Sequence, residues 1–359
     1  MTAQTDPTRV DVAADVLPTP QDYAARASLD SASDIHPRTR SVPLDPELAA
    51  AIGELKEQGL APYHTFSIDE LATFRASTSY RDRAIATIDG AAVTREERLI
   101  PGTVGAPNLE ISIVRPLVPV PSAPCIYFIH GGGMMMGSRY EGIESYLELI
   151  EKDGLVVVSV EYRLAPEHPD PAPVEDCYAG LAWVSEHAEE LGIDPDRLLI
   201  AGGSAGGGLT AGVTLLARDR QGPHLVGSML QCPMLDDRNQ TVSSAQHEQA
   251  VIWDRETNRV GWTALLGERR GGPDVSPYAA PARASDLSGL PPTFLDAGTA
   301  EVFRDEAVDY ASRIWAAGGD AELHIWPGGF HGYEMVPNAA LSRNTRESRE
   351  RWIRRILSL

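Results

Sequence analysis

The amino-acid sequence predicts the α/β class: a mostly parallel central sheet with helices on both faces, preceded by a helical N-terminal portion. From about residue 92 onward, short apolar runs of strand length alternate with stretches of helical period. Each run ends in glycine, proline or a polar residue, the punctuation of a chain leaving a sheet. Strands that alternate with helices imply right-handed crossovers, and hence parallel neighbours covered on both sides.

Residues 1–43 are rich in Pro, Asp, Ser and Thr with weak periodicity, and read as a poorly ordered or surface-wrapped lead-in. The segment 44–90 reads as helical. "LDPELAAAIGELKEQG" sets Leu44, Leu48, Ile52 and Leu55 on one helix face, with Pro46 near its start and Gly59 at its end. "SIDELATFRASTSY" follows, with Ser67 and Glu70 spaced as a capping box and Ile68, Leu71 and Phe74 as its apolar stripe. Residues 91–359 carry the sheet. "NLEISIVRP" alternates Leu109, Ile111 and Ile113 with polar residues, as a half-buried outer strand does. Six buried-strand runs come next: "PCIYFIHGGG", "LVVVSVEYR", "RLLIAGGSAGG", "GSMLQCPML", "PPTFLDAGT" and "AELHIWPGG". Helical stretches such as "EDCYAGLAWVSEHAEELG" and "GGGLTAGVTLLARDRQG" lie between them. In such sheets ligands bind beyond the carboxyl ends of the strands.

Composition narrows the function. A formal net charge of -20 opposes a grip on nucleic acid or anionic membrane, both of which need clustered Lys and Arg. Cys125, Cys177 and Cys232 are odd in number and widely spaced, so neither a disulfide framework nor a Cys-based zinc site is indicated. The N-terminus has no secretory h-region, and no window reaches the length of a membrane span. The expectation is a soluble cytoplasmic protein acting on a small molecule, with no cofactor, no metal, no nucleic-acid or membrane partner, and homo-oligomerisation left open.

Two motifs carry the chemistry. In "IAGGSAGGGL", Gly202, Ser204 and Gly206 match G-x-S-x-G between a strand and a helix, the setting that exposes a nucleophilic serine on a sharp turn. The competing reading is an ordinary glycine-rich turn. A phosphate loop fails because neither G-x-G-x-x-G nor G-x-x-x-x-G-K-S fits. In "YFIHGGGMMMGS", His130 and Gly131 to Gly133 end another strand, where three glycines let the main chain turn freely and present bare N–H groups. His130 reads as a packing residue that orients this loop.

With "HGGG", "EYRLAPEHPDPAPVEDCYAG", "GGSAGG", "SPYAAPARASDLSGLPP" and "PGGFHGY" in that order over roughly 110 to 335, the chain resembles the hormone-sensitive-lipase-like branch of the α/β-hydrolase superfamily. That resemblance implies a cap in 44–90, a catalytic domain in 91–359, and an oxyanion hole from the amides of Gly132, Gly133 and Ala205. It also carries two departures. Many relatives have an acid where Gly203 stands, and the acid three residues before "RDE", commonly Asp, is here Glu301.

A serine needs a base, and the base needs an orienting acid. His331 in "WPGGFHGY" sits on the loop after the last strand, where the chemistry wants the base. His324 lies within that strand, His168 reads as structural, and His36, His64, His187, His224 and His247 have no motif around them. Among the acids, Asp296 belongs to a strand end, while Asp305 and Glu306 occupy a helix start that acids favour for dipole reasons. The resemblance points to Glu301, with Asp305 in reserve. The expected activity is serine ester hydrolysis through an acyl-enzyme, on short to medium acyl esters. An amidase with the same triad and a non-catalytic receptor, as plant gibberellin receptors illustrate, are the alternatives. Met134 to Met136 read as adaptable lining or, more simply, core filler.

Overall fold

The computed structural model describes residues 40–57, 66–77 and 79–359. Most of the predicted lead-in, His36, Gly59 and His64 lie outside the described residues. The first helix, α1 (Pro46–Glu57), begins where the Asp45 carboxylate accepts from the amides of Glu47 and Leu48, at 2.9 and 3.3 Å. Leu48 and Ile52 are buried against Val251, Phe330, Tyr333 and Ala339. α2 (Leu71–Ala76) is entered through a 3₁₀ turn in which the Glu70 carboxylate accepts from the Ser67 amide at 2.9 Å. Of the stripe predicted there, Leu71 is buried, but Ile68 and Phe74 are exposed. The reason is local: Phe66 takes the core position, and Phe74 leans edge-on against it with ring centroids 5.1 Å apart.

α3 (Ser79–Asp89) leads into an eight-stranded sheet. Its strands are β1 (Val93–Ile100), β2 (Leu109–Pro116), β3 (Ala123–Ile129), β4 (Val156–Glu161), β5 (Ile193–Gly203), β6 (Gly227–Gln231), β7 (Thr293–Gly298) and β8 (Ala321–Trp326). Their order is β1-β2-β4-β3-β5-β6-β7-β8, with β2 antiparallel to both neighbours and every later pair parallel. Strand β1 is absent from the sequence reading. Its run of Arg95, Glu96, Glu97 and Arg98 hides the period, and a charged outermost strand discourages pairing with another chain.

Eight more helices complete the layers: α4 (Leu147–Asp153), α5 (Ala172–Glu186), α6 (Ala188–Leu191), α7 (Ala205–Asp219), α8 (Val242–Gln246), α9 (Arg255–Leu266), α10 (Arg304–Ala316) and α11 (Ala340–Leu357). Alternate residues of β3 serve the two faces. Cys125, Tyr127 and Ile129 join a cluster with Leu181 of α5 and Val213 of α7, whereas Ile126 and Phe128 join one with Ile88 of α3 and with Trp352, Ile353 and Leu357 of α11. α3 thus packs on the face opposite α5 and α7.

Asp296, at the end of β7, is held by Arg349 of α11 through two hydrogen bonds of 2.7 and 2.9 Å, and Arg349 also reaches Glu334 at 2.6 Å. Truncating the arginine leaves two carboxylates without their counter-charge, one of them fully buried. Arg349→Ala is expected to cost about 3 to 5 kcal/mol of stability, read from the denaturant midpoint. An unchanged midpoint refutes this role.

Candidate active site

Four strand ends meet at one edge of the sheet. β5 turns sharply into α7 at Ser204, whose φ of 59° and ψ of -122° are far from the ordinary regions for a residue with a side chain. The turn is held from both sides: the Ser204 amide donates to the Gln231 carbonyl at 2.8 Å, and the Ser204 carbonyl accepts from Met234 and Gly208 at 3.0 Å each. Gly206 cannot be larger, because a Cβ there would overlap the carbonyl oxygens of Ile129 and His130 at the end of β3. Close approach of β3 and α7 therefore sets the serine at the mouth of the sheet, at the positive end of the helix. Gly203 is different. A Cβ there meets Gln231 at 3.6 Å, ordinary contact, so this turn has room for the acid that relatives carry.

The loops after β7 and β8 bring the next two groups to Ser204. Its Oγ lies 2.9 Å from His331 Nε2, and His331 Nδ1 lies 2.8 Å from Glu301 Oε2. The other Glu301 oxygen accepts from the Gly298 amide at the end of β7. Glu301 is 1% exposed and His331 7%, so the line is shielded from water except at the serine. Phe303 meets the imidazole edge-on at 5.1 Å, and Trp253 stands 6.2 Å from it. The competing carboxylates are engaged elsewhere. Asp296 faces Arg349, Asp305 accepts from the Ser243 amide at 2.7 Å and from Arg304, and Glu306 accepts from the Leu235 amide at 2.8 Å. Burial and the nearby Asp236 push the Glu306 carboxyl well up from its usual range.

The glycine loop after β3 lies beside the serine. Gly132 and Gly133 have φ of 110° and 63°, and the amides of Met135 and Met136 both donate to the Gly132 carbonyl at 3.0 Å. Among the described residues, no acceptor is recorded for the amides of Gly132, Gly133 or Ala205. A Cβ on Gly133 would strike the Trp253 ring. His130 is buried beneath this loop, stacked on Tyr162 at 4.2 Å with Nδ1 2.8 Å from the Gly131 carbonyl, and burial lowers its pKa. Met134 and Met135 are core residues, and Met136 is half-buried. Arg75 of α2 pins the far side of the loop, donating to the carbonyls of Met135 at 2.8 Å and Ala165 at 2.7 Å and pairing with Glu167 at 2.7 Å.

The other histidines stand apart from this arrangement. His324 pairs with Glu322 at 2.9 Å on β8, and His187 is bonded to the Trp183 carbonyl at 2.9 Å. His168 and His224 are exposed, and His247 is buried in the loop after α8. Trp253, Phe303 and Arg75 carry no signal in the sequence, because each reaches the site through tertiary packing and no motif surrounds it, and the spacing of Cys232 does not show that it lies near His331.

A family model described as the alpha/beta hydrolase fold matches residues 126–335, more than half of the chain. Carboxylesterase NlhH of Mycobacterium tuberculosis is 37% identical over 259 residues, covering 68% of this chain and 78% of that protein. The solved structure of a bacterial heroin esterase superposes with a TM-score of 0.80 at 41% identity, over 88% of this chain and 98% of the other. Esterase LipW from Mycobacterium marinum gives a TM-score of 0.77 at 32% identity, over 88% and 98%. The chain belongs to the α/β-hydrolase family, in its hormone-sensitive-lipase-like branch, and is a serine carboxylic ester hydrolase.

Proposed function

We propose that Ser204, His331 and Glu301 form the catalytic triad and that the enzyme cleaves esters of short to medium acyl chains through an acyl-enzyme. The observation that supports this reading best is the continuous hydrogen-bonded line from Ser204 Oγ through the imidazole to Glu301, at 2.9 and 2.8 Å. With Nδ1–H donating to the carboxylate, Nε2 keeps the lone pair that receives the serine proton as Oγ attacks the ester carbonyl. The oxyanion that forms needs preorganised donors, a role we assign to the amides of Gly132, Gly133 and Ala205. His331 then hands the proton to the departing alcohol. Water repeats the sequence and frees the acid.

The cap role falls to the part of 44–90 nearest the site. Leu71 of α2 shares a cluster with Trp253 and Met134, and α1 packs beside Phe330, next to His331. The three free thiols fit a reducing compartment, and we place the enzyme in the cytoplasm. No helix among the described residues is long and apolar enough to cross a membrane.

Trp253 fills the space against Gly133 and is itself 6% exposed, which favours small acyl groups. In a panel of p-nitrophenyl esters, kcat/KM should peak between acetate and hexanoate and fall about tenfold or more by dodecanoate, since each misplaced methylene costs about 1 to 3 kcal/mol. A maximum at dodecanoate removes the acyl-length assignment. A p-nitroanilide cleaved as fast as the matching ester points instead to an amidase.

A further inference from the structure

One cysteine joins two residues of the proposed triad in a set of metal-ligand atoms that the cysteine spacing does not display. The sulfur of Cys232, a carboxylate oxygen of Glu301 and a ring nitrogen of His331 all lie within 4.8 Å of one another. Cys232 follows β6 directly, with a positive φ of 37°, and its amide donates to the Asp296 carbonyl at 2.8 Å, which fixes the residue against the end of β7. Cys232 is a free thiol. Burial pushes the Cys232 thiol well up from its ordinary range, aided by the carboxylates of Glu301, Glu334 and Asp296 and opposed by Arg349.

We propose that Cys232, Glu301 and His331 form a Zn²⁺ site that competes with catalysis. Thiolate, imidazole and carboxylate are the ligand types zinc takes, at about 2.0 to 2.3 Å, which sets neighbouring ligand atoms about 3 to 4 Å apart in a tetrahedron. The observed set, within 4.8 Å, is close to that size, so small side-chain rotations would bring it to the metal. As the sulfur–zinc bond forms, the thiol proton passes to bulk water, the imidazole proton sits on the ring nitrogen that the metal does not hold, and nothing is oxidised or reduced. A neutral imidazole has one lone pair. Once the metal holds it, neither ring nitrogen can accept the Ser204 proton, and Glu301 no longer orients the ring.

The inhibitory half of this proposal rests on the triad reading, and its test separates the two. With p-nitrophenyl butyrate as substrate, micromolar Zn²⁺ is expected to inhibit the wild-type enzyme reversibly, with activity restored by EDTA. Measured against its own metal-free rate, Cys232→Ala should need at least about tenfold more Zn²⁺ than the wild type for the same inhibition. Binding is read independently with Co²⁺, which should give a thiolate-to-metal charge-transfer band in the wild type and in Ser204→Ala, and none in Cys232→Ala. Equal Zn²⁺ sensitivity of Cys232→Ala and wild type, or no cobalt–thiolate band, overturns the site. A cobalt band together with undiminished turnover overturns the competition and counts against His331 as the base.

Discussion

Replacing Ser204 by alanine is expected to lower kcat on p-nitrophenyl butyrate by about 10⁶, because removing the nucleophile of a comparable triad costs that much. In the proposed mechanism the bond that begins the reaction is made by Oγ, and the alanine side chain has no atom that can take its place. The fold should survive, since the turn is held by main-chain bonds to Gln231, Met234 and Gly208 that alanine leaves intact. What remains should be the small acceleration owed to binding and to the amide donors. Near-normal turnover by the purified variant would remove Ser204 from the mechanism.

The second large effect is expected at Glu301. In Glu301→Gln the geometry is kept, but an amide can donate to Nδ1 and so stabilise the wrong tautomer, leaving Nε2 protonated and unable to act as base. A fall in kcat of about 10⁴ is expected. Asp305→Asn should leave kcat within a few-fold of wild type. Its carboxylate serves the Ser243 amide and Arg304 at the start of α10, a role worth about 0.3 to 1 kcal/mol of stability. Steady-state kinetics on the two variants decide between the acids, and a larger loss at Asp305 would transfer the role to it.

How much of this was legible in the sequence depends on whether the physics was local. The turn at Ser204 was readable because steric demand acts within five residues: a strand, a positive φ at the serine and glycines where a Cβ would clash. The seven later strands were readable for the same reason, since burial on both faces writes a continuous apolar run into β3 to β7, while β2 shows as an alternation and the half-buried edge strand β8 as a short run ended by glycine. β1 was not, because an outermost strand need bury little, and its charges carry no period. α11 passed unmarked too, with Arg and Glu crowding its turns and Trp352, Ile353 and Leu357 as its buried contribution. Long-range pairings are the least legible. Nothing near Asp296 in the chain announces Arg349, and nothing near Cys232 announces His331. Phe74 shows the opposite failure, a residue on the expected stripe displaced from the core by Phe66, which lies just outside the pattern.

The embrace between α1 and the segment around His331 also bears on how the protein is made. Leu48 and Ile52 find their partners at Val251, Phe330, Tyr333 and Ala339, and Asp45 bonds to Gly328 at 3.0 Å, so this helix matches residues translated far later than itself. Until those residues emerge, its apolar face has no native mate, and contacts of such long sequence separation form slowly. The segment that carries His331 thus completes its packing only once a helix far upstream in the chain has found it.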